Sequence, residues 1–394
     1  MIPVAEALDR LFSLVSPLGT ERVDLADAAG RVLAEPVKAP RDEPPTARSA
    51  MDGYAVRAGD VRPGAVLQVV GEAPAGAVCD RAVGPGEAVR IFTGGVVPEG
   101  ADRVVIQEDV TARDDRITIG QDPDPGPYVR PAGGDFRAGM AINGPRRLGP
   151  ADLALLGAMN AGTVCVTRRP EVAVLSTGNE LVLPGQTPRP DQIVSSNAFG
   201  LSALIEMAGG RARRLPIAAD RPEALDAAFD LARGADLIVT IGGASVGAHD
   251  LVAGRVAARG GALNFHKVAM RPGKPLMAGR VDNTPMVGVP GNPVSALVCG
   301  QVFVAPMVRA MLGFAPAPAT RRRAPLAADV KANGPREHYM RAQLTPTGLM
   351  PAERQDSSLL SVLADANALL IRPPADPAQP LGTVVDYLPT PGVD

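Results

Sequence analysis

From Pro170 onward the chain alternates short apolar runs with helix-length segments, and each apolar run closes on glycine, proline or a carboxylate. EVAVLSTGNE ends at Gly178 and Glu180, RRLPIAAD at Asp220, DLIVTIGG at Gly242 and Gly243, and MVGVPGNP at Pro290–Pro293. The intervening helical segments are LSALIEMAGG, PEALDAAFDLARG with a glycine C-cap expected at Gly234, and VSALVCGQVFVAPMVRAML. Strand and helix in alternation predict a doubly wound parallel sheet with helices on both faces, an α/β/α domain. Ligands of such sheets sit at the carboxyl ends of the strands. That rule places Ser176–Glu180, Asp220, Gly242–Asp250 and Pro290–Pro293 along one edge.

The loop GGASVGAHD sharpens the expectation. Gly242, Gly243 and Gly247 let the backbone approach a ligand with its N–H groups exposed, and Asp250 stands where the next helix should begin. An anion or a metal-phosphate is the natural guest, although the same glycines alone also suit an ordinary turn. Glu180, Asp220 and Asp250 gathered at one edge would repel each other, which makes sense chiefly around a metal, with Mg²⁺ the hard-oxygen candidate. Further on, KVAMRPGKP sets Arg271 and Lys274 between the stiffening prolines Pro272 and Pro275, a pattern suited to an oxyanion.

The rest of the chain reads as a multidomain α/β protein. Its 394 residues exceed what one core holds. With aromatics at 3% and no Trp, cores must be filled by Val, Ala, Leu and Ile. Residues 1–15 have helical spacing. The Pro-rich segment 40–49 then delivers SAMDGYAVR, where Asp52–Gly53 carries a hairpin-turn signal. VLQVV, AVRIF, DRVVIQEDV and RITIG, parted by turns, predict an inserted β-domain over 49–141. A helix ADLALLGAMNAG and a strand TVCVTRRP in 142–170 return to the part of the molecule formed by 1–48, a mixed N-terminal region. Residues 171–315 form the central domain. FAPAPATRRRAPL reads as a linker with Arg321, Arg322 and Arg323 solvated, and 321–394 as a small C-terminal β-barrel-like domain.

Several classes are disfavoured. A formal charge of −2 gives no global case for nucleic acid or an anionic membrane. The uncharged run 286–308 is cut by Pro290, Gly291, Asn292 and Pro293, so strand, loop and helix are expected there rather than a membrane span. Cys79, Cys165 and Cys299 form no CxxC pair, which fits a reducing cytoplasm, and the amphipathic start MIPVAEALDR reads as no signal peptide. His249, His266 and His338 are too scattered for a zinc triad. No GxxxxGK[ST] or GxSxG occurs, and Ala244 occupies the second glycine position of GxGxxG.

SAMDGYAVR, IFTGG, STGNEL, GGASVGAHD, MRPGKP and PGNPVSA, in this order along the chain, resemble the signature segments of the molybdopterin molybdenumtransferases, the family of bacterial MoeA and the E domain of gephyrin. The resemblance covers essentially the whole chain. It implies Mg²⁺-dependent insertion of molybdate into adenylylated molybdopterin with release of AMP, and a molybdopterin-binding role for the central domain. Asp52, Glu180, Asp220 and Asp250 match the family's essential acidic positions; Glu180, Asp220 and Asp250 would hold the metal. Thr93, Asp135, Ser176, Gly178, Gly242, Gly243, Ser245, Gly247, Pro290, Gly291, Asn292 and Pro293 would bind substrate. Arg271, Lys274, Ser295, Arg336 and Ser361 fall where molybdate is held. Asp52 would come from the partner subunit of a homodimer. Molybdopterin adenylyltransferase and acceptor molybdoenzymes or their chaperones are the further partners implied. Two positions depart from the common pattern: Asn179 stands where Asp is most frequent, and Arg271 where Lys is common. A molybdopterin-binding scaffold of the gephyrin type and a storage module are the alternatives. The adenylylation step is a third, disfavoured by the flanking β-domains.

Overall fold

The computed structural model describes residues 1–243 and 251–392. Its centre is a six-stranded sheet in the order Arg211–Arg214, Glu171–Ser176, Leu237–Ile241, Thr284–Val289, Met277–Val281, Ala262–Phe265. The first four strands run parallel. Strand periodicity sends alternate side chains to opposite faces, and both faces are covered. Val172, Val174, Leu237 and Val239 pack with Leu201 and Ile205 of helix Asn197–Ala208 and with Phe303 of the long C-terminal helix. Ala173, Leu175 and Ile238 pack with Leu225 and Phe229 of Pro222–Leu231 and with Val252 and Val256 of Leu251–Ala258.

The doubly wound sheet is therefore present as expected, and it carries an antiparallel pair at one edge that periodicity alone did not indicate. The signal for it lies in Asp282–Asn283, a two-residue connection with φ of 47° and 66° between the paired Val281 and Thr284. RRLPIAAD is strand only over Arg211–Arg214; Ala218 continues with a single bridge to Thr177. The helix PEALDAAFDLARG stops at Leu231, ahead of Gly234.

Residues 146–167 pair with 20–33 in a four-stranded sheet, whereas the first helix, Val4–Phe12, buries Val4, Leu8 and Leu11 against the central core. A second six-stranded sheet runs in the order Arg103–Ile106, Gly53–Val56, Glu87–Ile91, Val66–Ala73, Arg116–Ile119, Val110–Arg113. Here the hairpin expected at Asp52–Gly53 is corrected. Arg48–Ser49 pairs with Val129–Arg130, and Gly53 instead opens an inner strand flanked by Ile91 and Ile106.

A third sheet, Met270–Arg271, Glu337–Thr345, Ala368–Arg372, Val384–Pro389, Arg322–Pro325, forms the C-terminal region and takes its first strand from the central part of the chain. The linker expectation at 314–326 is corrected in its second half. Arg322–Pro325 is strand, and Arg321 pairs with Glu337 at 3.0 Å because the sheet brings that carboxylate alongside. Among the described residues one helical stretch, Pro293–Met311, is long and apolar enough to cross a membrane. It is mostly buried in the fold, so packing against the central sheet already accounts for its hydropathy.

Leu237 is fully buried in the middle of the central sheet. Leu237→Ala is expected to remove roughly 2–5 kcal/mol of stability, read as a lowered unfolding midpoint in denaturant.

Candidate functional site

The carboxyl ends of the parallel strands open into a cleft of about 1020 Å³. Its lining includes Ser176, Gly178, Glu180, Asp220, Gly242, Gly243 and Pro290–Pro293, which the strand-end rule had placed on one edge. Gly242 and Gly243 leave the strand at φ of 87° and 64°, the left-handed region in which a side chain is strained. Asp250, Ser245 and Gly247, expected at the same place, lie outside the described residues.

Other lining residues were not anticipated. Ile193 and Val194, from a two-residue strand paired with Leu181–Val182, form an apolar lip and remain 58% and 42% exposed. Ser195, Ser196 and Asn197 stand at the start of the following helix, and Asn197 Nδ2 donates to the Gly291 carbonyl at 2.7 Å. A polar triplet ahead of a helix was a readable signal. Ser358 arrives from the C-terminal region, and no local pattern could place it there.

Glu180 folds back along its own loop, so that a Cβ built on Gly178 would meet Glu180 Oε2 at 2.5 Å. The glycine thus makes the hollow in which this carboxylate sits. Asp220 is tied to Asn179 in both directions. Its N–H donates to Asn179 Oδ1 at 3.1 Å, and its Oδ2 accepts from the Asn179 N–H at 3.4 Å. Asn179 therefore acts as a neutral acceptor that orients Asp220 without adding a third negative charge. Among the described residues no three His, Cys, Asp or Glu side chains form a group able to hold a metal ion. The hard-oxygen pair Glu180 and Asp220 still fits Mg²⁺, which commonly takes one or two carboxylates and completes its shell with water and substrate phosphate.

Asp52, Thr93 and Asp135 do not line this cleft. Asp52 and Thr93 meet each other on the second sheet. Asp52 Oδ1 accepts from the Thr93 N–H at 2.7 Å and from its hydroxyl at 2.8 Å. Those two bonds, with a smaller contribution from the Arg90 charge, hold the Asp52 carboxyl below its ordinary pKa and keep it ionised. Arg90 itself lies over the rings of Tyr54 and Phe92 and donates to the Gly53 carbonyl, which stiffens the base of the loop. Asp135 is exposed, and its N–H donates to the Glu43 carbonyl.

Arg271 and Arg336 meet at the seam between the central and C-terminal sheets. Arg271 pairs with His338 in register, and Arg336 Nη1 donates to the Met270 carbonyl at 3.3 Å. The local field is strongly positive. Burial and the charges of Arg271, Arg341, Arg336 and Arg372 push His338 down to a pKa of about 4. Lys274 precedes Pro275, which lines the cleft. Ser295 is buried in the helix that starts at Pro293, and Ser361 is exposed near the start of the short helix Leu360–Ala364; neither lines the cleft.

A cleft lined by carboxylates and glycine-rich turns at the ends of a doubly wound sheet is where proteins of this architecture bind their ligands. The comparisons narrow the class. Residues 2–160 match the MoeA N-terminal region (domain I and II), 173–310 a probable molybdopterin binding domain, and 323–390 the MoeA C-terminal region (domain IV). A molybdopterin molybdenumtransferase of Nostoc sp. is 40% identical over 80% of this chain and 76% of its own length. That of Bacillus subtilis is 32% identical over 98% and 94%. A crystal structure of the molybdopterin biosynthesis MoeA protein from Pyrococcus horikoshii superposes with a TM-score of 0.85 at 32% identity, covering 100% of both chains. The chain belongs to the molybdopterin molybdenumtransferase family.

Thr93→Val removes the hydroxyl donor to Asp52 and leaves the backbone bond in place. The Asp52 pKa is expected to rise towards the ordinary aspartate range, as read by carboxyl-carbon NMR titration.

Proposed function

We propose that this protein inserts molybdate into adenylylated molybdopterin, with Mg²⁺ assisting cleavage of the pyrophosphate link and AMP leaving. The observation that supports the reading is a cleft at the strand ends lined by two carboxylates, Glu180 and Asp220, together with Pro275, the residue that follows Lys274. A storage site for an anionic pterin would gain nothing from two carboxylates facing its ligand.

In this reading Glu180 and Asp220 would hold Mg²⁺, which would supply charge neutralisation on the phosphate oxygens. The Asn179 N–H, donating to Asp220 Oδ2, keeps that carboxylate turned for the task. The backbone at Gly242 and Gly243 and the Pro290–Pro293 turn receive the phosphate side of the substrate. Arg271, Lys274 and Arg336 hold molybdate, a tetrahedral dianion suited to guanidinium and ammonium donors. Ser295 and Ser361 belong to the same molybdate set by the resemblance, although neither lines the cleft. Phosphoryl chemistry of this kind depends on positioning and neutralisation more than on a protein nucleophile, so molybdate oxygen or water suffices as the attacking group. Asp52 and Thr93, already locked together, complete the site from a second copy of the chain, and Asp135 belongs to the same contributed surface.

Purified protein with adenylylated molybdopterin, molybdate and Mg²⁺ is expected to release AMP and to reconstitute an apo-molybdoenzyme. Glu180→Gln should reduce both by about 100-fold or more. Absence of both products with the unmodified protein, where another family member succeeds, would falsify the assignment.

Mixed dimers of an Asp52→Asn chain with a Glu180→Gln chain test the shared site. Each carries one intact composite site, so activity is expected to return to a substantial fraction of the unmodified level. No recovery would remove the partner contribution.

A further inference from the structure

Ser358 reaches the cleft on a segment anchored by one buried guanidinium. Arg341 is wholly buried. Its Nη2 donates to the carbonyls of Asp356 at 2.9 Å and Arg354 at 3.3 Å. Gln355 brackets the Arg341 backbone, accepting its N–H at 3.0 Å and donating to its carbonyl at 2.9 Å. Beyond the clamp, the Ser358 N–H and hydroxyl both donate to Asp356 Oδ1. The Ser357 carbonyl accepts the Val294 N–H at 3.1 Å, and Ser357 Oγ accepts from Asn292 Nδ2 at 3.1 Å. An unbroken run of bonds thus leads from Arg341 to the helix start on the cleft floor.

The guanidinium is an expensive way to fill this space. Its Nε and Nη1 have no partner among the described residues. Buried ionic groups so incompletely satisfied are commonly matched or bettered in stability by apolar side chains of similar volume. What an apolar side chain cannot supply is a donor that gathers two backbone carbonyls of one segment. The clamp also has a chemical result at the helix start. Because Val294 gives its N–H to the Ser357 carbonyl, that amide is closed to a ligand, and the cleft wall there is formed by Ser358 and Asn292.

We propose that Arg341 is a positioning residue whose hold on residues 354–356 sets Ser357 against the Asn292–Val294 helix start and makes Ser358 a substrate-contacting wall of the cleft. The identity of the ligand rests on the proposed function; the mechanical link does not. In Arg341→Met the Val294 amide is expected to exchange with solvent about tenfold faster. The Kd for adenylylated molybdopterin should rise about tenfold, with kcat at saturation within about twofold of the unmodified enzyme. The melting temperature should stay close to that of the unmodified protein, because a half-satisfied buried charge has been removed. Ser358→Ala leaves the clamp whole and should weaken binding with Val294 exchange unchanged, which keeps the idea testable if Arg341→Met does not fold. Unchanged Val294 exchange in a folded Arg341→Met protein overturns the proposal, as does unchanged affinity in Ser358→Ala. Failure of the unmodified protein to bind adenylylated molybdopterin overturns the functional reading instead, and the exchange rates then decide the clamp alone.

Discussion

The structure depends on the two-sided burial of one strand. Leu237–Ile241 is buried at every position, with Leu237, Val239 and Ile241 turned to one layer of helices and Ile238 to the other. A strand so enclosed has no room for ionic side chains along its length, since an unpaired charge there would cost several kcal/mol. Polar chemistry is therefore displaced to the points where strands stop. Its neighbour is likewise buried from Val172 to Ser176, and its continuation supplies Gly178 and Glu180. The cleft is the consequence of a sheet that can carry function only at its ends.

Charge is sorted along that edge. Glu180 and Asp220 stand on the cleft side, Glu180 folded back along its own loop and Asp220 bonded to Asn179 of that same loop, while arginines accumulate at the seam with the C-terminal sheet. His338, wedged among those arginines, is held neutral, so the seam keeps its positive field from guanidinium groups that do not titrate near neutrality.

Much of this was legible before any coordinates. Apolar runs ending at Gly178, Gly242 and Pro290 located the edge, because a buried parallel strand leaves an apolar block and its loop follows at once, whereas Asp220 comes six residues after the charged edge strand Arg211–Arg214. The antiparallel pair at the sheet's rim was missed although Asp282–Asn283 marks its turn; strand Met277–Val281 reads as one more apolar run, and direction is not encoded in periodicity. The hairpin at Asp52–Gly53 was misread since a local turn signal cannot reveal that the flanking segments pair with Val129–Arg130 and with Ile91. Ser358 and Arg341 were invisible for a stronger reason. Their roles arise from contacts across long stretches of sequence, such as that of Ser357 with Val294, which no window of residues contains.

The parallel pairing of Met270–Arg271 with Glu337–His338 bears on how such a protein could have been assembled. A strand lent by one sheet to another is a joint rather than a linker. The central layer could not be cut free of the C-terminal sheet without exposing an unpaired edge at Met270–Arg271, and the last region could not be exchanged for another without one that accepts the same guest strand. Evolution would then be free to vary the lip of the cleft residue by residue, while the two sheets it lies between are inherited together.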